Sequence, residues 1–217
     1  CLILDDISAV FSLPLEKTIA AVTNPFDKDN KQRVSLQTHN SYFIAAPLLI
    51  NTHRWREKKF THQLIEWCHS HQSILKFPDQ DALNVVLQNE RENLPLRYNV
   101  FPYFLNPEYF SRTDLTTQIR ECLFSPAIVH FASCAPWYQD EYKNPFDGLW
   151  HATNRTLKCP AKITYRHKGW QKLKHRIKYW LFPKSRPTSI SLSELRAQFL
   201  KISSEQLESP LSEDKQP

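Results

Sequence analysis

Glycine is nearly absent from this chain of 217 residues, which has only Gly148 and Gly169. The phosphate-binding loops of kinases, P-loop nucleotidases and dinucleotide-binding proteins each need several glycines within a few residues, because only glycine lets the backbone approach a phosphate closely. The chain therefore lacks all three kinds of loop. Its mean hydropathy is −0.52, and no apolar run approaches the roughly 18 residues of a membrane-spanning helix, so no such helix is predicted.

Strand-like runs alternate with helical patterns over the first 131 residues. Strands are predicted at residues 1–4, 17–24, 41–51, 97–104 and 127–131. A helical pattern runs from Thr52 to Cys68, Pro78 stands where proline favours a helix start, and residues 25–40 have the composition of a mobile loop. This order predicts an α/β sandwich with a largely parallel sheet, which collects ligands at the carboxyl ends of its strands.

Five cysteines are odd in number and form no C-x-x-C pair, which favours a reducing compartment and argues against a zinc site. Methionine is absent, and the sequence opens at Cys1 inside an apolar run. We therefore expect a fragment or a processed piece of a longer protein.

Residues 148–193 contain 11 Lys or Arg and no Asp or Glu. Within this block an apolar stripe repeats at helical spacing, formed by Trp170, Leu173, Ile177, Trp180 and Leu181. Cationic flanks and aromatic side chains are typical of helices that lie at a membrane surface. We expect residues 161–183 to form such a helix and residues 162–182 to contact an anionic membrane. The alternatives are a helix docked on the domain and nucleic-acid binding, and no nucleic-acid reader motif supports the second.

The predicted organisation is one domain over residues 1–160, the basic helix over 161–183, and a mostly disordered tail over 184–217. The tail is enriched in Ser, Pro, Glu and Lys, apart from a helix predicted at 192–199.

Three places in the chain have residues suited to chemistry. Asp79, Gln80 and Asp81 lie at a helix amino terminus, where carboxylates stay ionised and could hold the hydroxyls of a polyhydroxy ligand; helix capping is the alternative. His130 ends an apolar strand, which suggests a ligand or metal contact or a buried histidine. Trp137 could stack on a sugar or close a core.

Five segments, read in order, resemble glycosyltransferase family 8, and in particular the bacterial lipopolysaccharide hexosyltransferases that transfer galactose or glucose. The resemblance covers about residues 1–182. The segments are LILDDI at 2–7, SYFIAAPLLIN at 41–51, RWR at 54–56, FPDQDALN at 77–84 and HFASCAPW at 130–137.

The resemblance implies a GT-A type fold and retaining transfer of a hexose from a UDP-sugar to a lipopolysaccharide or related saccharide. It implies manganese, held by His130 and by a D-x-D motif expected just upstream of residue 1. By motif position, Asp79 contacts the donor sugar and Gln80 lies beside the anomeric carbon. Because a carboxamide is a poor nucleophile, we favour front-face attack, with Gln80 stabilising positive charge. The implied location is cytoplasmic, on the inner face of the membrane.

Other implied contacts depart from the family pattern. The usual N-A-G donor motif is Ile44-Ala45-Ala46 here, and the phosphate-side motif has Ser133 for glycine and Ala135 for lysine. Asn24 stands near an acidic family position at the donor or acceptor. We therefore expect donor contacts from Ile44, Ala45, Ser133 and Asn24, and an acceptor contact from Trp137. The departures also permit a non-catalytic protein that binds saccharide or membrane.

Overall fold

The computed structural model describes residues 1–27, 29–37, 40–131, 136–138, 144–164, 169–181 and 191–208. The chain divides into two compact units. Asp5–Asn99 form the sheet unit, and Cys1–Leu4 with Val100–Pro217 form the helical unit.

The helices and strands follow in chain order as β1 (Leu2–Ile3), α1 (Ser8–Phe11), β2 (Ile19–Thr23), α2 (Asp29–Arg33), β3 (Phe43–Ile50), α3 (Thr52–Glu57), α4 (Phe60–Ser70), α5 (Pro78–Val86), β4 (Arg91–Leu94), α6 (Thr116–Phe124), β5 (Ile128–Val129), α7 (Asp147–Thr156), α8 (Gly169–Leu181) and α9 (Leu192–Glu208). Short 3₁₀ turns lie at Gln72–Ile74, Leu96–Asn99, Pro102–Leu105, Pro107–Tyr109 and Thr113–Leu115.

The sheet unit is built on three strands in the order β3-β2-β4. Four consecutive residues of β2, from Ile19 to Val22, are fully buried, as expected for a central strand covered on both faces. β2 pairs parallel with β4 and antiparallel with β3, and the register with β3 shifts between Ala21 and Thr23.

The prediction of a largely parallel sheet is therefore wrong. A parallel neighbour needs a long crossover, and the chain between β2 and its parallel partner β4 contains α2, β3, α3, α4 and α5. β2 reaches β3 through residues 24–42, whose described part contains only the five-residue helix α2, and the two strands run antiparallel. In the helical unit, β1 and β5 are also antiparallel.

The core of the sheet unit forms where α3, α4 and α5 pack on the sheet. Its buried members are Ile19, Ala21, Phe43, Phe60 and Leu87, with Leu48, Trp55, Leu83 and Val86 packed against them. The predicted continuous helix from Thr52 to Cys68 is interrupted, because Lys59 takes a left-handed conformation with φ 53°. Asn51 caps the amino terminus of α3, because its side chain accepts a hydrogen bond of 3.1 Å from the Arg54 N–H.

The predicted mobile loop over 25–40 contains ordered structure in its described residues. α2 forms within it, and Val34 and Leu36 are buried against Tyr42. The apolar side chains in this segment explain the difference, because their burial opposes the entropy of a free loop.

The helical unit is centred on α6 and α9. Leu195 and Phe199 of α9 are buried, and the Phe199 ring contacts Phe110 edge-on at a centroid distance of 5.4 Å. Arg196 Nε donates to the Leu123 carbonyl of α6 at 2.8 Å. The structure thus differs from the predicted mostly disordered tail over 184–217, because α9 extends over Leu192–Glu208 and buries two apolar side chains.

The predicted strand over 97–104 is also wrong. 3₁₀ turns occupy most of it, and only Val100 forms a bridge, to Val129 of β5. Pro95 and Pro102 flank this stretch, and proline cannot donate a hydrogen bond to a strand ladder.

Candidate functional site

The first turn of α5 carries Asp79, Gln80 and Asp81. Pro78 begins this helix, where its missing N–H leaves no lost hydrogen bond. The three side chains have different surroundings, because Asp79 is exposed, Gln80 is half-buried and Asp81 is fully buried. The three residues are adjacent in the sequence, but their different burial gives each side chain a different role.

Asp81 is a structural residue. Its carboxylate accepts hydrogen bonds from Arg33 Nη2 at 2.7 Å, Arg33 Nη1 at 2.9 Å, Tyr42 Oη at 2.6 Å, and the N–H groups of Lys76 and Phe77 at 2.9 and 3.0 Å. Burial alone would raise the pKa of Asp81, but these bonds to the charged form outweigh it and lower the pKa to about 2. The prediction that this carboxylate could hold the hydroxyls of a ligand is therefore wrong, because protein donors occupy both of its oxygens.

Tyr42 completes this network from the sheet side. Its hydroxyl is buried and donates to Asp81, and both the burial and this bond raise the pKa of Tyr42 above its ordinary range. The Tyr42 carbonyl accepts from the Asn24 N–H at 3.0 Å. The network therefore connects the end of β2, the start of β3 and the first turn of α5.

Gln80 and Ala45, two residues predicted to contact the donor, lie in direct contact. The Ala45 N–H donates to Gln80 Oε1 at 3.1 Å. One turn further along α5, Asn84 Nδ2 donates to the Phe43 carbonyl at 2.9 Å, and the Phe43 N–H donates to Asn84 Oδ1 at 2.7 Å. Asn84 Nδ2 also donates to the Gln80 carbonyl at 2.8 Å. The orientation of the Gln80 carboxamide is thus determined by β3.

The other predicted donor contacts in the sheet unit have mixed surroundings. Asp79 is exposed, and its carboxylate has no hydrogen bond or ion pair with the described residues. Asn24 is half-buried, and its Oδ1 accepts from the Phe26 N–H at 3.1 Å, as in a local turn. Ile44 is buried, and its hydrocarbon side chain offers no hydrogen bond to a sugar.

Arg33 and Tyr42 belong to this site although no sequence pattern predicts a role for them. Asn84 was visible in the motif FPDQDALN but had no assigned role. Gln80 and Asn84 are four residues apart, so a helix places them on the same face. This spacing is a sequence signal that Asn84 lies beside Gln80. Arg33 had no comparable local signal.

His130 and Trp137 lie in the helical unit. The His130 N–H donates to the Val100 carbonyl at 2.9 Å, and its half-buried ring contacts Phe101 edge-on at a centroid distance of 6.0 Å. Trp137 is half-buried, and its ring centroid lies 5.9 Å from that of Trp150. The Trp137 carbonyl accepts a hydrogen bond of 2.8 Å from the Thr164 N–H. Ser133 and Ala135 lie outside the described residues.

A metal site would need several ligand side chains close together. Across them, no group of three or more His, Cys, Asp and Glu side chains is placed to hold a metal ion. His130 is one candidate ligand, and a site for a divalent transition ion needs several. The described part of the chain therefore does not fit a complete metal site.

The basic helix predicted over 161–183 is found as α8 over Gly169–Leu181, and the described residues 161–164 before it are not helical. Trp170, Leu173 and Ile177 are 66%, 43% and 43% exposed. The side chains of Trp180 and Leu181, and residues 165–168 and 182–190, lie outside the described part. None of the helices that the structure describes has both the length and the hydrophobicity of a transmembrane span.

Residues 1–141 match the family model described as "Glycosyl transferase family 8". Among curated proteins, the chain is 30% identical over 153 residues to General stress protein A of Bacillus subtilis (strain 168), covering 65% of this chain and 54% of that protein. It is 25% identical over 139 residues to the lipopolysaccharide 1,2-glucosyltransferase of Escherichia coli (strain K12), covering 62% of this chain and 40% of that protein. The chain thus spans about half or less of the length of these relatives.

Among solved structures, the galactosyltransferase LgtC in complex with donor and acceptor sugar analogs has a TM-score of 0.54 with this chain. The two sequences are 24% identical, and the match covers 64% of this chain and 52% of that chain. At this identity the likeness concerns the fold. The prediction of an α/β fold of the GT-A type is confirmed.

Proposed function

Because the chain belongs to glycosyl transferase family 8, we propose that the protein transfers a hexose from a UDP-sugar to a lipopolysaccharide or related saccharide, with retention of anomeric configuration. The observation that carries this proposal is the contact between Gln80 and Ala45. Two residues from separate family-like segments, 35 positions apart, meet through one hydrogen bond of 3.1 Å. Such a contact holds a polar side chain in place before any substrate binds.

The proposed reaction gives Gln80 an electrostatic role. One lone pair of Oε1 accepts from Ala45, and the second remains to face the positive charge that develops at the anomeric carbon. The exposed carboxylate of Asp79 would accept hydrogen bonds from hydroxyls of the donor sugar.

The state of Asp81 supports front-face attack. A covalent double displacement needs a nucleophile at the anomeric carbon, where the proposal places Gln80, and a carboxamide is a poor nucleophile. The adjacent Asp81 does not replace it, because both of its oxygens accept hydrogen bonds from the protein. In the proposed step the acceptor hydroxyl oxygen bonds to the anomeric carbon, the bond from this carbon to the UDP oxygen breaks, and the hydroxyl proton passes to the departing phosphate.

Manganese dependence is part of the proposal, with His130 as one ligand. When bound, the metal would neutralise charge on the departing diphosphate. The described residues alone do not form a complete metal site.

The test is transfer by the full-length protein with a panel of UDP-hexoses and saccharide acceptors. We expect Gln80→Ala to lower kcat about 100-fold with a small change in KM, because the lost interaction acts mainly in the transition state. Gln198→Ala, at an exposed position of α9, is the matched control and should leave both constants unchanged. Absence of transfer or hydrolysis with every donor would overturn the proposal.

A second candidate function is a non-catalytic protein that binds saccharide. It is favoured by Ile44, which is buried and apolar at a position where the family motif has an amide. Under this alternative, UDP-sugars would raise the melting temperature of the full-length protein without any turnover.

We also propose that the protein lies on the cytoplasmic face of the inner membrane, attached through α8. The exposed apolar stripe and Lys174, whose Nζ lies 6.0 Å from the Trp170 ring centroid, support this attachment. Trp170→Ala with Lys174→Gln should weaken binding to vesicles that contain phosphatidylglycerol about tenfold, measured by flotation. Equal binding by this variant and the parent protein would exclude α8 as the contact.

A further inference from the structure

The Arg54-Trp55-Arg56 motif has no role in the proposed reaction, yet it borders a cavity on the sheet unit. α3 ends at Glu57 and α4 begins at Phe60, and the left-handed Lys59 turns the chain between them. A cavity of about 430 Å³ lies at this corner and opens to solvent. Its lining residues are Trp55, Arg56, Lys59, Thr61, His62 and Ile65.

The basic residues at this corner divide into two groups. Arg54 and Lys58 both form ion pairs with Glu90, the first at 3.4 Å, so the two cations share one carboxylate. Arg56 and Lys59 line the cavity, are exposed, and have no acidic partner among the described residues. The cavity therefore has two cations available to an anionic ligand.

The acidic residues of these helices are engaged by histidines. Glu57 lies 4.0 Å from His53, and Glu66 lies 3.2 Å from His62. Both glutamates are highly exposed, and neither of them lines the cavity. The local charge at the cavity thus favours an anion.

The remaining wall of the cavity is apolar. The Trp55 indole packs on Phe60 at a centroid distance of 5.9 Å and donates from Nε1 to Thr61 Oγ1 at 2.9 Å, so its polar atom is already satisfied. Ile65 is 52% exposed beside it. A half-buried indole, an exposed aliphatic side chain and two cations form the combination that binds the boundary between lipid headgroups and acyl chains.

We propose that this cavity binds the phosphate headgroup of an anionic phospholipid at a membrane surface. Arg56 and Lys59 contact the phosphate, and Trp55 and Ile65 contact the apolar region beneath it. A free phosphate offers the same charge but makes no use of the apolar wall, which is why the lipid is favoured. This site requires neither glycosyl transfer nor the membrane contact of α8.

Binding of the full-length protein to mixed vesicles of phosphatidylglycerol and phosphatidylcholine tests the site. Each basic residue near an anionic surface contributes roughly fivefold in affinity, so Arg56→Gln with Lys59→Gln should weaken binding about 25-fold. The matched control is Arg155→Gln with Lys201→Gln, two exposed basic residues of the helical unit, which should bind as the parent protein does. An equal loss in both double variants would show a general charge effect and overturn the proposal.

A second measurement follows the cavity directly through the NMR signal of the Trp55 indole N–H. We expect this signal to shift with phosphatidylglycerol bicelles and to stay in place with phosphatidylcholine bicelles or with inorganic phosphate. A shift with inorganic phosphate alone would reassign the site to a soluble anion. A shift with nucleic acid but not with bicelles would reassign it to a nucleic-acid contact. Loss of transferase activity in the Gln80 variant changes none of these outcomes.

Discussion

Arg33 holds the buried carboxylate of Asp81 through two parallel hydrogen bonds, 2.7 Å from Nη2 to Oδ1 and 2.9 Å from Nη1 to Oδ2. Arg33 ends α2, in the connection between β2 and β3, and Asp81 lies in the first turn of α5. The pair therefore attaches this connection to the helix that carries Gln80. Because Gln80 directly precedes Asp81, a substitution of Arg33 should also alter the position of the Gln80 carboxamide.

The first prediction concerns the stability that this pair provides. Arg33→Ala should lower the free energy of unfolding by about 3–5 kcal/mol, because it leaves the Asp81 charge buried without its partner. Arg33→Lys should cost less, since it keeps the charge and loses only the fork geometry. Urea unfolding followed by circular dichroism measures both.

The control for this prediction is an exposed pair of the same kind. Arg112 and Asp114 form a salt bridge with side chains 43% and 60% exposed, so Arg112→Ala should cost much less stability than Arg33→Ala. A cost for Arg33→Ala no larger than for Arg112→Ala would contradict the importance assigned to the buried pair.

The second prediction concerns acid. Asp81 and Glu90 both have a pKa lowered to about 2, since hydrogen bonds to the charged form, chiefly from Arg33 and Lys58 respectively, outweigh the effect of burial. Their ordinary values are 3.8 and 4.5, so the unfolded chain takes up these protons at higher pH than the folded protein does. The resulting stability is complete above about pH 4.5 and is lost as the pH falls towards 2.

Asp81 alone should account for about 2 kcal/mol of this loss. Asp81→Asn should therefore flatten the dependence of the free energy of unfolding on pH between about 4.5 and 2, in addition to lowering its value at neutral pH. Glu66→Gln, at an exposed position, serves as the control and should leave the slope unchanged. An unaltered slope in the Asp81 variant would show that other groups govern acid unfolding.

Local signals predicted the start of α5 and the strands β2 and β3, but not β4. Pro78 at the first helical position and the apolar run of β2 are both visible within a few residues. The role of Asp81 could not be predicted this way. Its partners Arg33 and Tyr42 are 48 and 39 positions away, and only the fold brings them together.

The same limit explains α9. Its polar, Ser-rich surroundings are typical of a disordered tail, and a short apolar pattern suggested a helix only at 192–199. Leu195 and Phe199 are buried because Phe110 and α6 provide a surface to receive them. The composition of a segment carries no information about the distant residues on which the segment packs.

The third prediction tests that packing. Phe199→Ala should lower the free energy of unfolding by about 3–5 kcal/mol, because it removes a fully buried ring and leaves a cavity beside Phe110. The neighbouring Leu200 is 47% exposed, so Leu200→Ala should cost about 1 kcal/mol or less. Chemical unfolding measures the free energy of unfolding of both variants, which change adjacent positions of one helix. Similar costs would mean that α9 does not pack into the core of the helical unit in solution.

The fourth prediction concerns His130 as a ligand of manganese in the full-length protein. A metal that binds only the folded state raises the melting temperature in proportion to its affinity, so a thermal titration with Mn²⁺ reports the site without any turnover. His130→Ala should weaken the apparent affinity about tenfold or more, since even indirect partners of a metal contribute that much. His53→Ala is the control, because His53 is 89% exposed and lies in the sheet unit. If the His130 variant follows the same titration curve as the parent protein, His130 is not a ligand, and its edge-on contact with Phe101 is then evidence for a packing role.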